Sequence, residues 1–311
     1  ELGTDMVVLW LAREGTLCAE SKSPVWATKM LIEAINKMLD YDPKIRVCIE
    51  PKPNEPIDRS ICGTMGHVMA ISAATIDPSR VGGNLESAHA ILAGLDPAHE
   101  IGFAMAMGKL MTVHLNDQNG IRYDQDKSFG VENLRAAFNQ VKVLKENGYG
   151  SHGEYVGLDV KAMRTTKDED SYKHLENSLN IFKALEEKVD RMRALKARFI
   201  DGVQKLDDIT IHGLYDETSA PHIISVGFAG VRSEVLLHAL EEKGIYVSSG
   251  SACASNHPAI SGVLKGIGAQ KEYLDATLRF SMSEFTTEEE IDYTLETLYN
   301  LVPVLRRYTR R

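Results

Sequence analysis

Five carboxylates and two imidazoles are spaced along the first half of this chain in a way that could hold divalent metal. Glu50 closes the run IRVCIE and is followed by Lys52 in IEPKPNEP, where the prolines restrict the backbone into a defined loop. NLESAHA sets Glu86 and His89 three residues apart, on one face of a helix if the segment opens one. His114 ends another apolar run, YDQDKSFG supplies Asp124 and Asp126, and GLDVKAMRT supplies Asp159. Gathered together, these groups would repel or desolvate one another unless a cation neutralised them, and the oxygen-rich set favours Mg or Mn. A second chemistry is suggested by GIYVSSGSACASNHP, which puts Cys253 on a Gly/Ser loop after a β-rich run. A thiol is a nucleophile only as the thiolate, so Cys253 would need exposure and a nearby positive charge or base.

Taken singly, each piece has an ordinary reading. Glu and His three apart on a helix are usually solvated, Asp-X-Asp in a polar loop is usually a turn, His114 alone could be a strand-end histidine, and an isolated cysteine is usually a small quiet hydrophobe. What sets the first group apart is order, because its members fall at consecutive places where a strand-like run gives way to a helix.

The elements that would position them follow from the pattern. DMVVLWL, IRVCIE, VGGN, KLMTVHL and EYVGLDV read as strands with helical stretches between them. Strands that alternate with helices imply parallel pairing, since a parallel crossover must span the sheet. The predicted fold is therefore α/β, a partial (β/α)8 barrel of about five βα units, with its polar residues at the strand ends where such barrels hold their chemistry. A closed barrel needs eight units, so either three are missing or the sheet stays open with an edge to be covered. The start at Glu1, without Met and directly before a strand, reads as truncated. Past about residue 190, ITIH, HIISVGF, IYVSS and TLRFSM mix with helices in the manner of a small α+β unit. The expected domains are 1–190 and 191–311. FTTEEEID predicts a helix start capped by Thr286 or Thr287.

With 311 residues, 43% of them apolar, the chain can bury a substantial core. A net charge of −9 and no basic tract argue against nucleic acid as partner. No membrane span or signal segment is evident, and the four cysteines have neither metal-finger nor disulfide-framework spacing. The expected location is the cytoplasm, and a homo-oligomer could cover the open sheet edge.

Residues 3 to 190 resemble the xylose isomerase-like superfamily, in particular the bacterial L-rhamnose isomerases, through WLAREG, IEPKPNEP, NLESAH, HLNDQNG, YDQDKSFG and GLDVK. The resemblance implies that Glu50, Glu86, His114 and Asp159 hold one metal and that Glu86, His89, Asp124 and Asp126 hold a second. It implies that Lys52 assists at a substrate oxygen and that Trp10 lines the sugar pocket. The implied reaction is metal-dependent aldose–ketose isomerisation. His114 stands where xylose isomerases proper carry an acid, which favours the rhamnose branch.

Residues 192 to 311 are similar to the C-terminal domain of the pyridoxal phosphate-dependent cysteine desulfurases, of class V aminotransferase fold, through SEVLLHALEEKGIYVSSGSACAS and TLRFSMSEFTTEEEID. This implies Cys253 as the sulfur-accepting nucleophile and Arg279 as the group that binds substrate carboxylate. Pyridoxal phosphate is expected only if the cofactor-bearing domain is supplied, since no lysine here lies in the family's His-Lys context.

Between the two, SYKHLENSLNIFKALEEKVDRMRALKARFIDGVQ reads as one helix with no flexible linker, its apolar positions being Leu175, Leu179, Phe182, Leu185, Val189, Leu195 and Phe199. Separate natural domains are more often joined by an exposed linker, so the sequence suggests a recombined or engineered chimera of two partial enzymes. Three functions are in contention: a metal-dependent sugar isomerase, a sulfur carrier using Cys253, and a structural chimera without catalysis.

Overall fold

A computed structural model describes residues 3–11, 13–216, 219–249 and 261–308. The chain divides into two compact units, Glu1–Glu186 and Glu187–Arg311.

The first unit runs β1 (Met6–Trp10), α1 (Pro24–Tyr41), β2 (Arg46–Glu50), α2 (Met65–Ala73), β3 (Val81–Glu86), α3 (Ser87–Leu92), α4 (Pro97–Ala106), β4 (Leu110–His114), α5 (Leu134–Glu146) and β5 (Val156–Gly157). It ends in the first part of α6 (Lys173–Val203). The sheet order is β1-β2-β3-β4-β5 and every neighbouring pair is parallel. A doubly wound sheet reverses its order at a switch point, whereas an order that follows the chain belongs to a barrel sector. The partial barrel read from the sequence is thus the observed architecture.

Parallel strands covered on both faces read as continuous apolar or small residues. β3 is buried at every position, and its Gly83 leaves room for the Met65 side chain of α2, which a Cβ there would displace. Ile35 and Leu39 of α1, Val47 and Ile49 of β2, Met65 and Val68 of α2, Val113 of β4 and Val141 of α5 join in one core. Both ends of α1 are closed by side chains. Ser23 accepts a hydrogen bond from Trp26 N at 3.3 Å with Pro24 in the first turn. At the other end Arg80 donates to the carbonyls of Leu39, Asp42 and Ile45.

The predicted strand EYVGLDV shrinks to Val156–Gly157, which pair with Val113 and His114. Its departure from the ladder has a local cause: beyond Gly157 the chain turns so that the Asp159 carbonyl accepts from Asn116 Nδ2 at 3.0 Å. Gly157 itself leaves room for the His114 ring, since a Cβ there would sit 2.7 Å from His114 Cδ2.

The second unit comprises the rest of α6, β6 (Ile209–His212), β7 (Ile223–Phe228), α7 (Ser233–Glu241), β8 (Ser248–Ser249), α8 (Gly262–Gly266), β9 (Thr277–Ser281) and α9 (Glu288–Arg307). Its sheet is antiparallel in the order β6-β7-β9-β8, the small α+β unit expected. Of IYVSS, Ser248 and Ser249 join the ladder, while Ile245 and Val247 pack against the core. That core is built from Phe199, Val203, Val226, Phe228, Leu236, Leu278, Phe280 and Leu298, among others.

The helix predicted across the seam is α6, 31 residues long. Ile181, Phe182 and Leu185 pack in the first core, and Leu195, Phe199, Ile200 and Val203 in the second. Leu175 and Leu179, placed on the apolar stripe by spacing, are instead exposed. α9 starts at a full capping box: Glu290 N donates to Thr287 Oγ1 at 3.2 Å and Thr287 N donates to Glu290 Oε2 at 2.9 Å. Thr287→Ala is expected to cost about 1 kcal/mol, read as a lower urea midpoint with an unchanged slope. An unmoved midpoint would show that the box contributes nothing.

Candidate metal centre

Each acidic or imidazole group is delivered by the carboxyl end of a strand or by the segment after it. Glu50 ends β2, Glu86 ends β3 and His114 ends β4, while His89 sits in the short helix that follows β3 directly. Asp159 lies two residues beyond β5, and Asp124 and Asp126 lie on the loop between β4 and α5. They converge on a cavity of about 320 Å³ lined by Trp10, Glu50, Glu86, His89, Asp124, Asp126 and Asp159.

Two ligand groups form there. Glu50, Glu86, His114 and Asp159 bring one donor atom each to within 4.8 Å of one another, and Glu86, His89 and Asp124 do the same. Glu86 belongs to both. His114 Nδ1 stands 3.4 Å from Asp159 Oδ2 and 3.5 Å from Glu50 Oε2. His89 Nδ1 is 3.3 Å from Glu86 Oε2, and its Nε2 is 3.5 Å from Asp124 Oδ2.

The donor set fits divalent cations on an observation independent of spacing. His89 Nδ1, His114 Nδ1 and Asp124 Oδ1 are buried atoms without a hydrogen-bond partner, a costly condition unless a ligand supplies the missing interaction. Charge points the same way. Among the described residues, Glu50, Glu86, Asp124, Asp126 and Asp159 gather around Lys52, Lys161 and the two imidazoles, five carboxylates to two lysines where water is partly excluded. Burial, reinforced by the charges of Glu50, Asp124 and Asp159, pushes the Glu86 carboxyl well above its ordinary range. His114 is also raised: its burial works against the charged form, but Asp159 and Glu50 outweigh it. Asp159 is lowered by the His114 imidazole beside it, and Asp124 is held low, against its burial, by His89 and Lys52.

Asp126, expected as a ligand of the second cation, lines the cavity but lies outside both groups; Lys161 Nζ donates to its Oδ2 at 2.6 Å and Asn116 Nδ2 to its Oδ1 at 3.3 Å. Lys52 is buried, donates to Asp124 Oδ2 at 2.6 Å, and lies 5.1 Å from the ring centre of the half-exposed Trp10. Its loop is tied to the Asp124 loop through Glu55, whose Oε2 accepts from Asp124 N at 2.7 Å. In the second unit Arg279 lies exposed on β9. Cys253 lies outside the described residues.

Sequence reasoning missed Lys161, Asn84 and Asn116. Strand side chains alternate, so residues two apart share a face, a signal that could have found Asn84, two before Glu86 on β3. Asn116 and Lys161 lie beyond the ends of β4 and β5, where no such period applies.

Comparison with known proteins gives two matches to two parts of the chain. It is 36% identical over 200 residues to a xylose isomerase of Thermus thermophilus and 34% identical over 200 residues to one of Thermus caldophilus, covering 62% of this chain and 50% of each relative. The chain thus spans about half the length of the curated relatives it matches. Residues 174–294 match the family Aminotransferase class-V. The resemblance is twofold. Among solved structures, a NifS-like protein aligns at 18% identity and TM-score 0.36 over 72% of this chain and 61% of its own. A NifS-like protein from Rickettsia africae aligns at 14% identity and TM-score 0.35 over 86% and 72%. At such scores these alignments carry no weight for the fold. The class V match begins at residue 174 rather than at 192, so it takes in the whole of α6 except its first residue. The part of the helix that packs in the first core therefore resembles the second family.

Proposed function

We propose that the first unit is a divalent-cation centre of the sugar-isomerase type, acting on an aldose–ketose pair of the L-rhamnose kind. The observation that carries this reading is the meeting of two ligand groups at one shared carboxylate, Glu86, beside a buried lysine. Mn or Mg, held by Glu50, Glu86, His114 and Asp159 and by Glu86, His89 and Asp124, would supply Lewis acidity to adjacent sugar oxygens. Lys52 is placed to donate a hydrogen bond to a substrate oxygen, anchored meanwhile by Asp124. Trp10 offers an apolar wall over the same space. Asp126, held by Lys161, would bind the second cation only by exchanging that partner.

The second unit supports a lesser reading as a sulfur-handling module, resting on the class V match and on Arg279. The sequence contains no His-Lys pair, the setting in which the desulfurases carry their Schiff-base lysine, so no step through pyridoxal phosphate is derived. Taken together, the two resemblances support a chimera of two enzyme parts joined through α6.

The function is tested by incubating the chain with Mn²⁺ and L-rhamnose and following ketose formation by NMR. Conversion that requires Mn²⁺ and disappears in Lys52→Met is the expected result. No conversion of L-rhamnose or of other aldoses, from a chain that demonstrably binds Mn²⁺, would overturn the isomerase assignment.

A further inference from the structure

Asn116 has no place in either ligand group, yet it touches members of both. It is buried to 1% exposure, two residues beyond His114. Its Nδ2 donates to Glu86 Oε1 at 2.8 Å, to the Asp159 carbonyl at 3.0 Å and to Asp126 Oδ1 at 3.3 Å. Its Oδ1 accepts from Ala88 N at 2.8 Å, in the helix that carries His89. One carboxamide thus reads the end of β3, the start of α3, the Asp126 loop and the turn after β5. Only a group with a donor at one end and an acceptor at the other can do this. A carboxylate would set oxygen against Glu86, and an apolar residue would leave the Ala88 amide and the Asp159 carbonyl unmatched in a buried place.

The consequence falls on Glu86. Because Oε1 is tethered to Asn116, the plane of the carboxylate is fixed and Oε2 is left toward His89, 3.3 Å from its Nδ1. We propose that Asn116 is the positioning residue that makes Glu86 the carboxylate common to both cation groups, an inference that rests on the metal-centre reading above. Residues that orient metal ligands without touching the metal commonly change affinity by 10–100-fold when removed.

Asn84 provides the internal comparison. It too is fully buried, donates to Glu50 Oε2 at 2.7 Å and accepts from Thr112 Oγ1 at 2.7 Å. Glu50, unlike Glu86, belongs to one group only. The two asparagines are alike in burial and each donates to one glutamate of the cluster, although Asn116 makes the larger set of hydrogen bonds, so the comparison turns on which cation groups weaken rather than on stability. A positioning role separates them.

The experiment is a Mn²⁺ titration of the full chain, following free Mn²⁺ by electron paramagnetic resonance, with the Co²⁺ absorption spectrum as a second readout. The wild-type chain is expected to take up two ions. Asn116→Ala should weaken both sites by about 10–100-fold and shift the Co²⁺ bands of both, while Asn84→Ala should weaken one and leave the other. If Asn116→Ala does not fold, Asn116→Ser keeps a polar group in place but is too short to span Glu86 and Asp159, and the same result is expected of it. A wild-type chain that binds two ions, with an Asn116 variant that binds both as well or loses only one, overturns the inference and leaves the centre standing. A wild-type chain that takes up no ion overturns both.

Discussion

Glu86→Gln is expected to abolish the response of the chain to Mn²⁺ at both groups at once, the largest functional effect of any single substitution at the strand ends. Glu50, His89, His114, Asp124 and Asp159 each serve one group, and only Glu86 serves two. For the wild-type chain, Mn²⁺ at a hundred times its dissociation constant should add about 2.7 kcal/mol to stability by mass action. For a unit of this size that is roughly a 5–10 °C rise in melting temperature. Glutamine retains an oxygen for Asn116, so the variant should fold. It should also melt no lower than the wild type without metal, because the buried carboxylate it replaces is a source of repulsion.

The pH dependence gives an independent check with a definite sign. The Glu86 carboxyl is raised in the folded chain, by burial first and by neighbouring carboxylates second. A raised group favours the folded state while it is protonated, and that contribution is lost as pH climbs through its folded-state value. A cation competes with protons for Glu86 and for the raised His114, so Mn²⁺ affinity should fall on acidification and binding should release protons. In Glu86→Gln, proton release should shrink with the binding itself. Undiminished Mn²⁺ stabilisation in the variant would mean that the ion sits elsewhere.

The convergence of these side chains was legible in the sequence because a parallel barrel sector turns chain order into spatial order. Residues at successive strand ends must become neighbours once the strands pair in sequence, and no knowledge of side-chain conformation is needed to say so. Asp126 shows where that logic stops. Its place on the loop agrees with expectation, but its partner was decided by Lys161, two residues past Asp159 and long enough to reach across. The limits of β5 were also hidden. A β-rich run of seven residues pairs at two positions, and past Gly157 the Asp159 carbonyl is taken by Asn116, a tertiary bond that no local propensity records. The seam was partly legible: periodicity identified α6, but which face was buried along its first turns depended on what packed there, and Leu175 and Leu179 are left to solvent.

Phe199→Ala is expected to produce the largest loss of stability. Phe199 is 1% exposed, and its ring centre lies 4.7 Å from that of Phe280, which in turn stands 6.4 Å from Phe228. Truncation removes a ring from a packed aromatic cluster and leaves a cavity bounded by strand and helix, which cannot collapse freely; such changes cost about 3–5 kcal/mol. Domains hold only about 5–15 kcal/mol in total, so the second unit should populate unfolded forms near ambient temperature. Limited proteolysis should then cleave in the β7 and β9 segments, where the wild type is protected, and Phe199→Leu should recover most of the protection. The same helix places Leu185 in the first core, so Mn²⁺ binding measured on the same variant asks how far the damage travels. Unchanged Mn²⁺ affinity alongside a cleaved second unit would mean that each core holds its own length of α6. A parallel loss of both would mean that the helix transmits the defect, and resistance to protease equal to the wild type would show that the aromatic cluster is not what holds the second unit together.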